Sequence, residues 1–396
     1  MQHEIRTGDV CAVLREHPAN SFDACLTDPP YGLEFMGRDW DRCVPAKEVW
    51  QEVFRVLKPG AYALIFGGTR TFHRLACAVE DAGFEIRDCL MWLYGSGFPK
   101  GQDISKALDK AAGATREVVG PSHYANRGRR TDNQVYGQST PSNAEVISIP
   151  ATDARRLWQG YNTTLKPAWE PILLCMKPLD RTFAQNALKH GTGGLAVDAC
   201  RIGTAGGCRS DAAYTGGDSA NCFGKGLNDQ RSPAVDGLGR WPANLLLDED
   251  AAAALDGQTG DLHATGNKAP KATPAAGNEI YGKGAGEKEA GHIFQNYKDS
   301  GGASRFFYVA KASSRERGNG NNHPTVKPVK LTAELARYLL TLVLPPSRAE
   351  GQRKLLVPFS GSGSEIIGAR EAGWEYTLGI ELEPAYAAIA EQRLAA

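Results

Sequence analysis

The sequence predicts an α/β fold built around a mostly parallel sheet. Strand-like and helix-like segments alternate over about the first hundred residues, and a complete strand–helix–strand unit occupies the C-terminal end. Strands that alternate with helices favour a parallel sheet, because each helix returns the chain to the edge where the next strand starts. Between these ordered ends lies a glycine-dense stretch with weak apolar periodicity, which is typical of large loops or insertions.

The N-terminal segment supplies the first group of elements. "FDACLT" is predicted to be a buried strand, and "KEVWQEVFRVLKPG" has helical apolar spacing that is expected to end at Pro59-Gly60. "AYALIFGG" is a second strand that ends in glycines. "TFHRLACAVEDAGFEI" predicts a helix, a glycine and the start of a strand, and "DCLMWLYG" continues as a strand.

The middle of the chain, from about Asp109 to Gly320, contains few periodic segments. "AWEPILLCMKPL" and "GRWPANLLLD" are the clearest strand candidates. The segment from His123 to Asn143 is polar and basic, and we expect it to be mobile in the free protein.

The C-terminal segment contains a glycine loop followed by an acid. "PVKLTAELARYLLTLVLP" is an amphipathic helix, and a strand from Lys354 to Val357 leads into a turn with Gly361 and Gly363. The next strand ends at Glu381, at about the twenty-residue interval at which an acid binds ribose hydroxyls. A nucleoside site is predicted here. The alternative for the loop alone is a tight turn with no ligand.

Composition is that of an ordinary globular protein. The 396 residues are 42% hydrophobic, and 45 acidic residues balance 45 basic ones, so only local basic clusters would attract a polyanion. The polar N-terminus and the lack of a long apolar run predict a cytoplasmic protein. Nine cysteines without a C-x-x-C pair indicate reduced thiols. Cys200, Cys208 and Cys222 with His190 match no zinc spacing, so no metal is expected.

Four motifs in order carry a family resemblance. "DPPYG", "HPTVKPVKL", "PFSGSG" and "GIELEPAY" together resemble the β-class amino-group DNA methyltransferases, which use S-adenosylmethionine. The resemblance covers about the first hundred and the last eighty residues, with "TLKPAWEPILLCMKP" between them. It implies a Rossmann-like, mostly parallel, seven-stranded sheet that is circularly permuted and carries a loop-rich inserted target-recognition region.

The resemblance also divides the chain into functional segments. Residues 1–108 would be the catalytic half of the methyltransferase domain, and residues 109–178 an insertion plus the return to the catalytic sheet. Residues 179–320 would be the target-recognition region, assigned by its place between motifs. Residues 321–396 would be the cofactor-binding half.

The motif Asp28, Pro29, Pro30 and Tyr31 is predicted to be catalytic. An exocyclic amino nitrogen is a poor nucleophile, and acceptors aimed at its N–H groups activate it as positive charge develops. Asp28 and the Pro29 carbonyl would be those acceptors, the prolines would fix the backbone without adding N–H donors, and Tyr31 would stack on the base. The alternative for the motif alone is a proline turn after a strand.

Several positions are assigned to cofactor binding by the resemblance. Asp9 would contact the cofactor adenine, although an ordinary helix N-cap is the alternative. Many relatives have an acid where this chain has Val357, so Glu381 would contribute more of the binding. The remaining predicted cofactor residues are Thr325, Lys327, Phe359, Ser360, Gly361, Ser362 and Gly363, with His323 a weaker candidate.

DNA contacts are predicted from aromatic and basic residues. Trp92, or Phe98, would line the base pocket, and Lys100 and Lys106 would contact phosphates; a core tryptophan beside a solvated loop is the alternative. Arg127, Arg129 and Arg130 would bind phosphates or guanine edges. A charge run that is simply solvated is the alternative for these arginines.

The function expected from these features is methyl transfer from S-adenosylmethionine to adenine N6 in duplex DNA, after the base flips out of the helix. Cytosine N4, RNA or a protein glutamine amide are alternative substrates, and a non-catalytic DNA-binding module is a further alternative. Cytosine C5 chemistry is disfavoured, because no cysteine follows a proline. A homodimer is expected from the resemblance.

Overall fold

A long twisted sheet organises the protein, whose structure is a computed structural model. The structure describes residues 2–33, 42–95, 97, 101–115, 117–121, 146–149, 156–203, 239–263, 300–310, 329–347 and 351–395. The strands, in chain order, are β1 Gln2–Thr7, β2 Phe22–Thr27, β3 Leu57–Phe66, β4 Glu85–Leu93, β5 Glu117–Pro121, β6 Val146–Ile149, β7 Trp169–Met176, β8 Leu245–Asp248, β9 Leu262–His263, β10 Ser300–Gly301, β11 Tyr308–Ala310, β12 Lys354–Pro358 and β13 Tyr376–Glu381.

Helices cover both faces of this sheet. The α-helices, in chain order, are α1 Val10–Arg15, α2 Lys47–Val56, α3 Phe72–Asp81, α4 Ile104–Ala111, α5 Phe183–His190, α6 Glu249–Thr259, α7 Val329–Leu342, α8 Ser364–Ala372 and α9 Pro384–Ala395. Short 3₁₀ helices lie at Asp198–Cys200 and Ala303–Phe306. Within the described ranges, no helix has both the length and the apolar character needed to cross a bilayer.

The predicted mostly parallel sheet is confirmed. Among the described residues, the main sheet has nine strands in the order β1-β13-β12-β2-β3-β7-β4-β8-β11. Only β7 runs antiparallel to its neighbours, β3 and β4. The first seven strands of this order form the sheet expected from the resemblance. The circular permutation stays a prediction.

The strands β8 and β11 extend the sheet beyond β4. Leu247 of β8 pairs in parallel with Leu93 of β4 on one side and with Val309 of β11 on the other. Leu246 and Leu247 are buried, so the strand predicted in "GRWPANLLLD" is confirmed. Residues from the predicted target-recognition region therefore belong to the same sheet as the predicted catalytic half.

The central strands are buried on both faces because helices cover both faces. Successive side chains of a strand point to opposite faces. Leu26 and Leu355 pack on the face covered by α7 and α8, whereas Cys25 and Leu356 pack on the face covered by α1, α2 and α3. Each buried leucine contributes about 2 kcal/mol of hydrophobic stabilisation.

One local expectation is wrong: helix α2 ends at Val56, and Pro59-Gly60 lies inside β3. Gly60 has a φ of 75°, which a glycine tolerates and which helps the strand bend at its start. Its N–H donates to the Lys177 carbonyl (2.9 Å), while the Pro59 carbonyl accepts from the Asn186 amide (3.0 Å). The proline-glycine pair is thus a strand irregularity held by its neighbours, and the helix stops earlier.

A buried carboxylate joins three central strands. Asp23 of β2 is 2% exposed, and it accepts a hydrogen bond from Lys58 Nζ of β3 (2.6 Å) and another from the Lys354 N–H of β12 (2.8 Å). Charge-assisted hydrogen bonds of this kind are stronger than neutral ones. Asp23 therefore connects the N-terminal strands to a strand that follows them by more than three hundred residues in the chain.

We predict that Asp23→Ala lowers the free energy of unfolding by about 2 kcal/mol, because Lys58 and the Lys354 N–H lose their acceptor in a buried setting. Urea unfolding followed by circular dichroism measures the change. Glu85→Ala is the matched control, since Glu85 is an exposed carboxylate on β4. A loss no larger than that of the control would contradict the role assigned to Asp23.

Candidate active site

The crevice between β2 and β12 lies at the topological switch point of the sheet. Helix α2, which follows β2, packs on one face of the sheet, and helix α8, which follows β12, packs on the other. The loops that leave these two adjacent strands therefore diverge. In open α/β sheets, ligands bind in such a crevice at the carboxyl ends of the strands.

A side-chain hydrogen bond brings the two main motifs together across this crevice. The Thr27 hydroxyl donates to the Pro358 carbonyl, and both residues are buried. Asp28 follows Thr27, and Phe359 follows Pro358. The Asp-Pro-Pro-Tyr motif and the glycine loop, which come from opposite ends of the chain, are thus neighbours in space.

The Asp-Pro-Pro-Tyr loop presents hydrogen-bond acceptors. Pro29 is buried, and Asp28 and Tyr31 are partly buried. Neither Pro29 nor Pro30 has an N–H to donate. The Thr71 hydroxyl donates to the Tyr31 carbonyl (2.6 Å) and fixes the end of the loop.

The Tyr31 ring is held by residues from three strand ends. Its hydroxyl donates to Asp28 Oδ1 (2.6 Å) and lies 3.4 Å from Glu170 Oε2. A Cβ added to Gly68 would lie 3.2 Å from the ring, so that glycine allows the close approach. Burial, reinforced by the charges of Asp28 and Glu170, holds the pKa of Tyr31 well above its usual value. The hydroxyl therefore remains a donor.

Three of these partners were not predicted from the sequence: Gly68, Thr71 and Glu170. The glycine pair that ends "AYALIFGG" and the acid in "AWEPILLCMKPL" are visible signals. Because β7 runs antiparallel to β3, its first residues lie at the edge where β3 ends, and the Gly67 N–H donates to the Pro171 carbonyl (2.9 Å). That antiparallel pairing, which local sequence does not show, brings Glu170 to the site.

The glycine loop turns sharply after β12. Phe359, Gly361 and Gly363 all have positive φ, at 59°, 51° and 79°. A left-handed phenylalanine is uncommon and is found where the surrounding structure holds a strained turn, often at a binding site. The Gly363 N–H closes the turn on the Ser360 carbonyl (2.8 Å).

Glu381 ends β13 directly beside this loop. Its Oε2 accepts from the Gly361 N–H (2.8 Å), and its Oε1 accepts from the Glu383 N–H (2.9 Å). Burial raises the pKa of the Glu381 carboxyl, and the backbone N–H groups oppose that rise in part. A carboxylate has about four acceptor sites, so it retains acceptor capacity beyond these backbone donors that suits a ribose hydroxyl.

Asp9 lies close to Glu381 but is used as a helix cap. The Gly8 N–H donates to the Glu381 carbonyl (2.9 Å), which places the end of β1 beside the end of β13. The Ala12 N–H donates to Asp9 Oδ1 (3.0 Å), so the alternative role, an N-cap, is present in the structure. Contact between Asp9 and a cofactor stays a prediction.

The remaining loop residues divide into two groups. Arg393 of α9 donates to the Ser362 carbonyl and hydroxyl, and a Cβ added to Gly363 would lie 3.0 Å from Ala390. These residues therefore hold the loop against α9. By contrast, Ser360 Oγ is buried and has no hydrogen-bond partner within the described residues. Because buried polar groups are normally hydrogen-bonded, this hydroxyl suits a ligand that brings a polar group to the loop.

Other predicted site residues are placed elsewhere or lie outside the description. Trp92 is 3% exposed in β4, tilted against Tyr94 with ring centroids 5.3 Å apart, so it is a core residue in the free protein and its contact with DNA stays a prediction. The predicted residues that lie outside the described part of the chain are Phe98, Lys100, Arg127, Arg129, Arg130, His323, Thr325 and Lys327.

No metal cluster is evident in the described ranges, where no group of three or more His, Cys, Asp or Glu side chains is placed to hold an ion.

Comparison with known proteins gives a family match that spans most of the chain. A family model for N6/N4 methylases, described as DNA methylase, matches residues 22–392. The chain is also 27% identical over 235 residues to the type II methyltransferase M.HindIII of Haemophilus influenzae, and that alignment covers 48% of this chain. It spans 63% of the length of M.HindIII.

Solved structures give weaker likenesses. The complex of M1.HpyAVI with SAM aligns over 99% of this chain and 100% of that chain, at 12% identity and a TM-score of 0.37. The cytosine-N4-specific PvuII DNA methyltransferase aligns over 99% of this chain and 86% of that chain, at 12% identity and a TM-score of 0.40. Scores this low support no assignment. The family match, which runs from β2 to α9, does, and the chain belongs to the N6/N4 DNA methylase family.

Proposed function

We propose that this protein transfers a methyl group from S-adenosylmethionine, the methyl donor of its family, to adenine N6 in duplex DNA. The observation that carries the proposal is the hydrogen bond between Thr27 and Pro358. This bond joins a loop of hydrogen-bond acceptors to a glycine turn beside Glu381, the acid that we propose binds ribose hydroxyls. Amino-group activation and nucleoside binding would then occur in one crevice.

The glycine turn and Glu381 would hold the donor. Glu381 would accept hydrogen bonds from ribose hydroxyls through the lone pairs that Gly361 and Glu383 leave available. Ser360, whose hydroxyl is buried beside the turn, would meet a polar group of the ligand. Thr325 and Lys327 are proposed to lie over its methionine end. When bound, the donor supplies a methyl group on a positively charged sulfur.

The Asp-Pro-Pro-Tyr loop would activate the target nitrogen. The lone pair of an exocyclic amino group is delocalised into the ring, so the nitrogen must move toward tetrahedral geometry before it reacts. Asp28 and the Pro29 carbonyl would accept its two N–H groups and stabilise the positive charge that grows on nitrogen. The nitrogen would form its bond to the methyl carbon as the opposite carbon–sulfur bond breaks and the neutral thioether leaves. The surplus proton on nitrogen would pass to Asp28 or to solvent, and orientation by the loop would supply much of the rate.

The target base would reach this loop only after flipping out of the duplex, at a cost of a few kcal/mol of unstacking. The Tyr31 ring would stack on the flipped base. The same acceptors suit adenine N6 and cytosine N4; adenine N6 is the target that we propose, with cytosine N4 as the alternative. Residues 179–320, with Arg127, Arg129 and Arg130, are proposed to bind the duplex, and a homodimer is proposed as the working unit.

Sequencing that detects modified bases, applied to DNA from cells that express the protein, tests the function. We expect N6-methyladenine at one fixed position of a short recurring site, and none in cells that express Asp28→Ala. Detection of N4-methylcytosine at such a site would make cytosine the target base and leave the proposed mechanism unchanged. Unmodified DNA, together with labelled methyl groups on RNA or protein, would overturn the proposed substrate.

Asp28→Ala is expected to lower the turnover rate by about 100-fold or more, because an acceptor aimed at the transition-state charge is lost. Transfer of labelled methyl groups to DNA measures the rate. Calorimetric titration with S-adenosylmethionine should give an affinity close to that of the wild type, since Asp28 is not among the groups proposed to hold the donor. A variant that retains full activity would remove Asp28 from the mechanism.

The affinity for S-adenosylmethionine should fall as the pH is lowered, starting at a higher pH than an ordinary glutamate would give. The carboxylate form of Glu381 accepts the ribose hydroxyls, and burial raises its pKa, so the acceptor is lost to protonation sooner during acidification. Calorimetric titrations over a pH series measure the effect.

Glu381→Gln should bind more weakly and show no such fall, because an amide does not titrate in this range. Glu391→Gln, an exposed position on α9, is the matched control and should keep the wild-type profile. A wild-type profile that is flat over the same range would exclude Glu381 as the acceptor.

A further inference from the structure

Glu170 is a second carboxylate at the candidate active site. It lies near the start of β7, where it pairs with Trp92 of β4, and its side chain is partly buried. Its Oε2 is 3.4 Å from the Tyr31 hydroxyl, which donates at 2.6 Å to Asp28 Oδ1. A single hydroxyl therefore stands between two carboxylates that come from different strands.

These two carboxylates compete for one proton donor. A tyrosine hydroxyl has one hydrogen, so it makes one strong donation at a time. In the structure that donation goes to Asp28, as the shorter distance shows. A carboxylate oxygen that already accepts a strong hydrogen bond is a weaker acceptor for a second donor, and Asp28 is the residue proposed to accept from the target amino group.

The rest of Tyr31 is fixed, so its hydroxyl can move only locally. The Thr71 hydroxyl holds the Tyr31 carbonyl (2.6 Å), and the ring lies against Gly68. Burial and the two carboxylates keep the pKa of the tyrosine well above its usual value, so the hydroxyl retains its hydrogen in either position. Rotation about the bond between the ring and the hydroxyl oxygen would turn the hydrogen from Asp28 toward Glu170.

We propose that Glu170 is a positioning residue: it takes the Tyr31 hydrogen bond when the target base is bound, so that Asp28 Oδ1 accepts from the amino nitrogen instead. This inference rests on the proposed function. Because the Tyr31 hydroxyl donates to Glu170 when the base is bound, Asp28 is then a stronger acceptor than in the free protein. The exchange also gives the Tyr31 ring a fixed hydroxyl partner while the ring stacks on that base.

Glu170→Ala should lower the turnover rate by about tenfold, as expected for the loss of one hydrogen bond to a charged group, and leave the affinity for S-adenosylmethionine unchanged. Glu170→Gln should stay within about threefold of the wild type, because its amide oxygen still accepts. In a Tyr31→Phe background, Glu170→Ala should change the rate by less than about twofold, because two residues that act through one contact are not additive.

Glu85→Ala is the matched control, an exposed carboxylate on β4 whose strand partner, Met176, is at the opposite end of β7 from Glu170. It should leave the rate unchanged. Thermal unfolding of each variant checks the fold, and Glu170→Met, similar in size but without an acceptor, replaces the alanine variant if that variant unfolds.

Three outcomes would overturn the inference: no loss in Glu170→Ala, an equal loss with and without the Tyr31 hydroxyl, or a glutamine variant as impaired as the alanine variant. The last outcome would show that the negative charge of Glu170, and not its ability to accept a hydrogen bond, supports the turnover rate. If Asp28→Ala is inactive while Glu170→Ala matches the wild type, the inference fails and the proposed function stands. If the wild-type protein methylates no DNA, the proposed function itself fails.

Discussion

The contact between β2 and β12 is the interaction on which the candidate site depends. Asp23 binds the backbone of Lys354 at one end of the two strands, and the Thr27 hydroxyl binds the Pro358 carbonyl at the other. The first contact is partly buried and the second is buried, and hydrogen bonds away from water are electrostatically stronger than in water. They align the strands so that the residues following Thr27 and Pro358 enter the same crevice. Neither loop alone would form the site.

The chemistry of the crevice follows from which polar groups it contains. Prolines remove donors from one loop, while carboxylate and carbonyl oxygens supply acceptors. On the other side, the N–H groups of Gly361 and Glu383 donate to the Glu381 carboxylate, which we propose also accepts from hydroxyls. The two halves of the site therefore suit donors on a ligand, which we propose are ribose hydroxyls at one place and an amino group at the other.

Much of this arrangement could be predicted from local sequence patterns. The strands that bear "FDACLT" and "KLLVP", the glycine loop and Glu381 all have clear apolar and turn signals, and the structure has them as expected. Because each of those signals lies within a short stretch of sequence, the element that it predicts can be recognised without a structure. The family resemblance added the expectation of a seven-stranded, mostly parallel sheet, which local patterns do not contain.

The contacts that local patterns missed depend on pairing between distant segments. Glu170 and Thr71 reach Tyr31 because β7 is antiparallel and because α3 starts beside the end of β3. Ser362 and Gly363 look like ligand residues in sequence, yet they contact α9, whose position is set by packing. Pro59-Gly60 resembles a helix stop, but its contacts with Lys177 and Asn186 place it in a strand.

The edge strands β8 and β11 have a consequence for engineering. They come from the segment proposed to read DNA. β8 is hydrogen-bonded to β4, the neighbour of the strand that holds Glu170, and β11 is hydrogen-bonded to β8. A chimera that exchanges the whole of residues 179–320 for a foreign module would leave the edge of β4 unpaired and expose Trp92. Junctions placed inside this segment, so that Leu245–Asp248 and Tyr308–Ala310 are kept, would preserve the sheet while the intervening loops are replaced.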